Sequence, residues 1–158
     1  MRSLPVIFLL VLSGFTGKAQ QVYVYEGRNP LWTDLLVNVQ NGYVLPGHSE
    51  MWSEAVLTVR DKAIYKGFSE SFFDLAYTID GGKLYPGESR FSGDILYTVK
   101  LGKIYRGNSD FALDLLYAFR EGLLYEGQGN SVFEILLTFE GDPSEAELLA
   151  ILLYLGYL

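Results

Sequence analysis

Cysteine is absent from this chain of 158 residues, and histidine occurs once. Without cysteine no disulfide can staple the fold and no thiolate is available to hold a metal or attack a substrate, so stability has to come from packing. The single histidine, His48, has no partner cluster around it in sequence, and the patterns G-x-S-x-G, H-E-x-x-H and the phosphate loop are all missing. It reads as a solvated loop residue, in the place taken by Phe68, Glu88 and Asn108 elsewhere in the chain. Basic charge is scarce too, with 12 lysines and arginines against 19 acids and a net charge of -7. That balance argues against nucleic acid or anionic headgroups as partners, since both are bound by basic surface. The two long apolar stretches, near the N-terminus and at the C-terminus, fall short of the roughly 20 residues of a membrane helix.

The first stretch has a different explanation. Arg2, the apolar residues 4–12 and the small-x-small triplet Gly17-Lys18-Ala19 are the three parts of a secretory signal. Residues 1–20 are therefore expected to be a signal peptide, with a mature chain starting near Gln20 or Gln21 and a secreted or periplasmic location. No cysteine follows the apolar run, which excludes a lipid-modified N-terminus. Losing Arg2 and Lys18 leaves 10 basic against 19 acidic residues, a mature net charge of -9.

What is present in abundance is repetition. "KLYPGESRFSGDILYTVKLG" at residues 83–102 returns as "KIYRGNSDFALDLLYAFREG" at 103–122, and four further copies keep the same period of twenty. Glycine recurs at 27, 47, 67, 87, 107 and 127, and an acid at 34, 54, 74, 94, 114 and 134. Six units without an insertion imply a symmetric repeat architecture. Within each unit a β-branched and aromatic stretch, such as Asp94 to Val99, leads through a turn into a second one, such as Lys103-Ile104-Tyr105. Asn41-Gly42, Gly81-Gly82, Leu101-Gly102 and Glu121-Gly122 are the turn centres, a strong hairpin signal because a type I′ turn needs positive φ at both central residues.

Pairing about those turns sets Val39 opposite Val44, Asn38 opposite Leu45, Thr78 opposite Tyr85 and Thr98 opposite Tyr105. Strict alternation then places Ile95, Tyr97 and Val99 with Ile104 on one face, and Leu96 and Thr98 with Tyr105 on the other. Both faces carry apolar groups, which an isolated hairpin cannot hide, so neighbouring hairpins must associate. The stretch after each recurrent glycine is a loop. Ser69, Ser89 and Ser109, with Asp74, Asp94 and Asp114, are expected to satisfy loop amides locally, the alternative being a ring of carboxylates for calcium or sugar hydroxyls. Lys66, Lys83, Lys103 and Arg106 read as solvated charges at strand ends that discourage aggregation.

The chain ends on "GDPSEAELLAILLYLGYL". Asp142 is expected to cap a helix there, with Pro143 at its first position and Glu145 completing the box. From Leu148 onward it has no polar face, which calls for burial all round. A plug inside a barrel is the favoured reading, beside membrane insertion and an oligomer contact.

Six units of D-I-L-Y-T-V, turn, K-I-Y-x-G resemble the repeats of β-flower proteins, whose hairpins stand as petals around a shallow symmetric barrel with a hydrophobic channel. The resemblance covers residues 22–142. It implies a fold similar to the Tubby-like barrel, twelve strands closed around a hydrophobic helix. Tubby-like domains bind phosphoinositides through basic residues and the related scramblases act on membranes, but this acidic chain offers no such site. The resemblance implies no catalytic residues. A solenoid, a trefoil or a propeller also satisfies the period, while the terminal helix and even spacing favour closure.

The fold expected is thus mainly β: six twenty-residue hairpin repeats over residues 21–142 closing into a symmetric twelve-stranded barrel, plugged by the helix of residues 143–158, all one domain. The function expected is that of a non-enzymatic exported binding or structural module, without a cofactor. Its apolar central channel would take a lipid, an apolar ligand or another protein, with no nucleic acid partner and any membrane contact independent of a basic patch. Tyr65, Tyr85, Tyr105 and Tyr125, with Leu149 and Leu153 of the tail, are the candidate channel or interface residues. The alternative is a carbohydrate-binding or cell-surface repeat protein in which Trp32, Trp52, Tyr43 and loop acids contact sugar.

Overall fold

The computed structural model describes residues 21–129 and 131–158. The expected signal peptide lies outside the described residues. Twelve strands follow in order: β1 (Gln21–Glu26), β2 (Leu35–Gln40), β3 (Tyr43–Pro46), β4 (Leu57–Arg60), β5 (Ala63–Lys66), β6 (Leu75–Asp80), β7 (Lys83–Pro86), β8 (Tyr97–Lys100), β9 (Lys103–Arg106), β10 (Leu115–Arg120), β11 (Leu123–Glu126) and β12 (Ile135–Glu140). Each pairs antiparallel with its neighbours in sequence, and β1 pairs with β12 to close the barrel.

Closure reuses the hairpin. Asn38 faces Leu45 and Gln40 faces Tyr43 within the first hairpin, and Thr138 faces Tyr25 and Glu140 faces Tyr23 where the two chain ends meet. The sixth hairpin is therefore split, with one strand from each end of the domain and no turn joining them. At this seam Gly141 has φ 103°, and a Cβ there would stand 2.4 Å from the Gln21 carbonyl oxygen. The closing chain can pass only because that position carries no side chain.

The hairpins turn where the sequence puts them, and the pairs Val39–Val44, Asn38–Leu45, Thr78–Tyr85 and Thr98–Tyr105 are all present. Leu101 takes the left-handed conformation at φ 51° with its side chain in solvent. For a residue with a Cβ that conformation costs about 1 kcal/mol. Leu101→Asn is expected to raise stability by about 0.5–1 kcal/mol in urea unfolding, and a lower midpoint would show that the leucine is held by something other than the turn.

One expectation about the faces is corrected. Between β9 and β10 the register runs Ile104↔Tyr117 and then Tyr105↔Leu115, so one residue is skipped. The same bulge recurs at Val24/Tyr25, Ile64/Tyr65 and Leu124/Tyr125. A bulge puts two residues against one and reverses the alternation behind it. Leu36 and Leu136 consequently pack against the interior, while Leu35 is buried outside that core cluster; Val56 and Ile95, just ahead of β4 and β8, follow the same pattern, the first inward and the second outside the cluster. Ile95 does not share a face with Tyr97 and Val99.

The C-terminal helix α1 (Glu145–Leu155) fills the interior. Its cap is Ser144, not Asp142: the Ser144 hydroxyl accepts from the Glu147 amide, and the Glu147 carboxylate accepts from the Ser144 amide at 2.9 Å. The serine-x-x-glutamate spacing fits the box, and starting at Asp142 would have left Glu147 without that reciprocal bond. Residues 146–152 are buried, and Leu148 to Leu152 join Val22, Val37, Val44, Ile64, Leu84, Ile104 and Leu124 in one core. Gly156, at φ 79°, ends the helix, and Tyr117 donates to the Tyr157 carbonyl at 3.0 Å.

A single helix cannot match a six-fold ring, and the side chains show how the mismatch is absorbed. The helix contacts β3, β4 and β5 most closely. The inward positions near it are Val44, Leu57, Val59 and Ile64, whereas around the rest of the ring Tyr77, Tyr97, Tyr117, Phe119 and Phe139 fill the space. Phe119 meets Phe139 edge to face at 5.0 Å, a favoured aromatic geometry.

Candidate functional site

Each loop leaves its strand at the recurrent glycine and doubles back over the outer face of the sheet. The first tie is a strand side chain aimed at the glycine carbonyl: Thr58 to Gly67 at 2.7 Å, Thr78 to Gly87, Thr98 to Gly107 and Thr138 to Gly27. Asn38 does the same for Gly47 and adds a bond to the Ser49 carbonyl. The fifth unit has Ala118 instead, which has no hydroxyl to offer Gly127. Ala118→Thr is expected to stabilise by about 1 kcal/mol and Thr58→Val to destabilise by about 1–2 kcal/mol, read from thermal midpoints. Equal midpoints for Thr58→Val and wild type would show that this tie is idle.

The second tie is serine to acid. Ser69, Ser89 and Ser109 donate to Asp74, Asp94 and Asp114 at 2.5 Å, and Ser49 donates to Glu54. The same serine oxygens accept from the amides of Ser71, Phe91, Phe111 and Met51. The recurring acids are thus engaged locally, and among the described residues no group of three or more His, Cys, Asp or Glu is placed to hold a metal ion.

A third tie crosses from the strand end to the loop. Arg60 meets Glu70 at 2.6 Å and Lys100 meets Asp110 at 2.5 Å. The Asp110 hydrogen bond raises the ammonium pKa of Lys100, and the Lys100 hydrogen bond lowers the carboxyl pKa of Asp110. Opposite charges ten residues apart are the sequence signal of this latch; Asp80 and Arg90 have the same spacing with signs exchanged, but Asp80 faces Lys62 at 4.0 Å.

With the loop backbones held, a short 3-10 turn in every loop projects apolar side chains into solvent. Trp32, Trp52, Phe73, Phe91, Leu113 and Phe133 are exposed, one from each loop, with Phe73 93% and Phe133 95% exposed. Large apolar side chains left in water in every unit are not required by a core.

In the first three units the rings gather. Trp32 lies on the His48 ring at 4.0 Å, so His48 is part of an aromatic contact between two loops. Tyr43 is the platform of a second group: Trp52 stacks at 5.9 Å and 26°, Phe68 tilts against it at 5.1 Å, and the Arg60 guanidinium stands 4.4 Å from its centroid. A shallow cleft of about 170 Å³ is lined by Tyr43, Phe68, Ser69 and Glu70.

The candidate channel residues do not come together. Tyr85 and Tyr105 are buried, and Tyr65 and Tyr125 half-buried, all beneath the loops on the outer face opposite threonine or alanine. They line no channel. Leu149 is fully buried in the helix core, and Leu153, near the helix end, borders a cleft with Val56, Leu57, Ala76, Tyr77 and Tyr154. Sequence reasoning named Trp32, Trp52 and Tyr43 but missed Arg60, which the pairing of β3 with β4 brings to Tyr43, and Phe68 and Glu70, which only the fold-back of the loop brings there.

Residues 24–152 match the family described as 6-fold beta flower protein, and the chain belongs to that family. No curated protein matches the chain. No solved structure matches it either.

Proposed function

We propose that this protein is an exported, non-enzymatic binding module that engages its target through the aromatic loops on the outside of the barrel. The observation that carries the reading is the contrast between the two surfaces: the interior is closed by Leu148 to Leu152, while every loop exposes an apolar side chain. The threonine, serine and charge ties hold those loops in place, which lowers the entropy lost when a partner is bound. The acids that recur by symmetry are committed to these ties, which favours a scaffold role for them over catalysis. Kinship with Tubby-like barrels is part of the proposal, resting on twelve strands around one apolar helix, but without their basic phosphoinositide chemistry.

A second reading keeps the central site, with an apolar ligand entering as the helix shifts. The cleft beside Leu153 and Tyr154, about 190 Å³ in volume, favours it.

Retention of the purified protein on isolated cell envelopes tests the first reading. The variant Trp32→Ala/Trp52→Ala/Phe68→Ala/Phe111→Ala is expected to lose at least tenfold in retention at an unchanged melting temperature. Retention equal to wild type would rule the loops out as the binding surface.

A further inference from the structure

We propose that the Trp52–Tyr43–Phe68 cluster, with Arg60 and Glu70 at its edge and Trp32 on the adjoining loop, is a binding site for a neutral glycan. The inference rests on the loop-face reading above and names its ligand class.

The repeats supply an internal control. In the unit pair two periods further along, Lys83, Ser92 and Asn108 stand where Tyr43, Trp52 and Phe68 do, and the latch is kept as Lys100 with Asp110. The barrel and its loop therefore form without aromatic residues at these three positions. There the corresponding groove, lined by Lys83, Lys100 and Asn108 to Phe111, is wider, at about 450 Å³, and polar. The rings at Tyr43, Trp52 and Phe68 are not demanded by folding, yet Trp52 and Phe68 stay more than half in water at 51% and 53% exposure.

The chemistry beside them selects the ligand. A sugar ring presents an apolar C–H face that packs on a flat aromatic ring, and hydroxyls around its rim that need planar donors and acceptors. Trp52 and Phe68 supply the flat faces. Glu70 accepts, Arg60 donates, and the Ser69 oxygen accepts, its own proton being given to Asp74; all are within this one cleft or its edge. Tyr43 fixes the arrangement from beneath, stacked on Trp52 and covered by the Arg60 guanidinium. A lipid surface fits less well, because seating these rings in it would take the Arg60–Glu70 ion pair out of water, and removing both charges from water costs more than their mutual attraction returns. Neutral sugar is also the class that an acidic chain does not repel.

The chain contains two tryptophans, Trp32 and Trp52, both on this strip, so intrinsic fluorescence reports on it directly. The full chain is titrated with cellohexaose, chitohexaose and mannohexaose, and separately with phosphatidylcholine vesicles. A saturable blue shift is expected with at least one hexasaccharide. By calorimetry Trp52→Ala should then weaken binding at least tenfold with its melting temperature kept, and Leu101→Asn, in a hairpin turn away from the loop face, should leave it unchanged. Absence of any shift with all three sugars overturns the inference, as does a sugar shift whose affinity Trp52→Ala does not alter. A shift with vesicles alone overturns it as well, while leaving the loop face as the binding surface. The envelope-retention assay decides that wider reading independently, because it asks only whether the loops bind.

Discussion

Leu149→Asp is expected to abolish the folded barrel, leaving a chain with no cooperative thermal transition and collapsed near-ultraviolet circular dichroism. Leu149 is fully buried at the middle of the helix, surrounded by the inward valines and leucines of the strands. Burying Leu148, Leu149, Ile151 and Leu152 is worth about 1.5–3 kcal/mol per side chain, so the helix alone matches the 5–15 kcal/mol that a whole domain usually has. A carboxylate at Leu149 forfeits its share and adds an unpaired charge with no partner in reach, at a further cost of several kcal/mol. The milder Leu149→Ala is expected to cost about 2–5 kcal/mol and to remain folded. Leu153→Asp is half-exposed at the helix end and should lower the midpoint without unfolding the protein. If Leu149→Asp melts cooperatively within a few degrees of wild type, the helix is not part of the core in solution.

Removing one complete repeat, residues 83–102, is expected to be nearly as damaging, though it cuts no hydrophobic side chain in half and joins two turns in register. A solenoid would lose one unit and keep its neighbours' contacts. This protein closes β1 on β12, so ten strands would have to form a narrower ring around the same helix. A helix with its side chains is roughly 10–12 Å across, and that bore cannot shrink. The shortened chain should therefore fail to close, expose two strand edges and aggregate or associate. Size-exclusion chromatography with thermal melting decides the matter: a stable monomer melting near wild type would mean that closure is not what holds the domain together.

Much of this architecture is written in local sequence. The period of twenty, the turns at Asn41-Gly42 and Gly81-Gly82 and the pairs such as Thr98 with Tyr105 depend on two or four residues at a time, and short-range sterics decide them. The candidate site was legible only in part. Trp32, Trp52 and Tyr43 stand out as residue types, but Arg60 reaches Tyr43 through the pairing of β3 with β4, and Phe68 and Glu70, from the following unit, come to them through the loop that folds back across β4.

The sequence by itself determined the number of strands, their pairing order and the need to bury an apolar helix, because hydrophobic period and turn chemistry act along the chain. Only the tertiary structure decided the rest. The bulges near Leu36 and Leu116 reversed the facing of the residues behind them, since a skipped ladder position leaves no mark in an alternating pattern. One inward position of the repeat is Val37, Leu57 and Leu137 in three units and Tyr77, Tyr97 and Tyr117 in the other three. Equivalent positions of the repeat carry side chains of different size there, because one helix in a six-fold ring breaks the symmetry and the space around it has to be filled unequally.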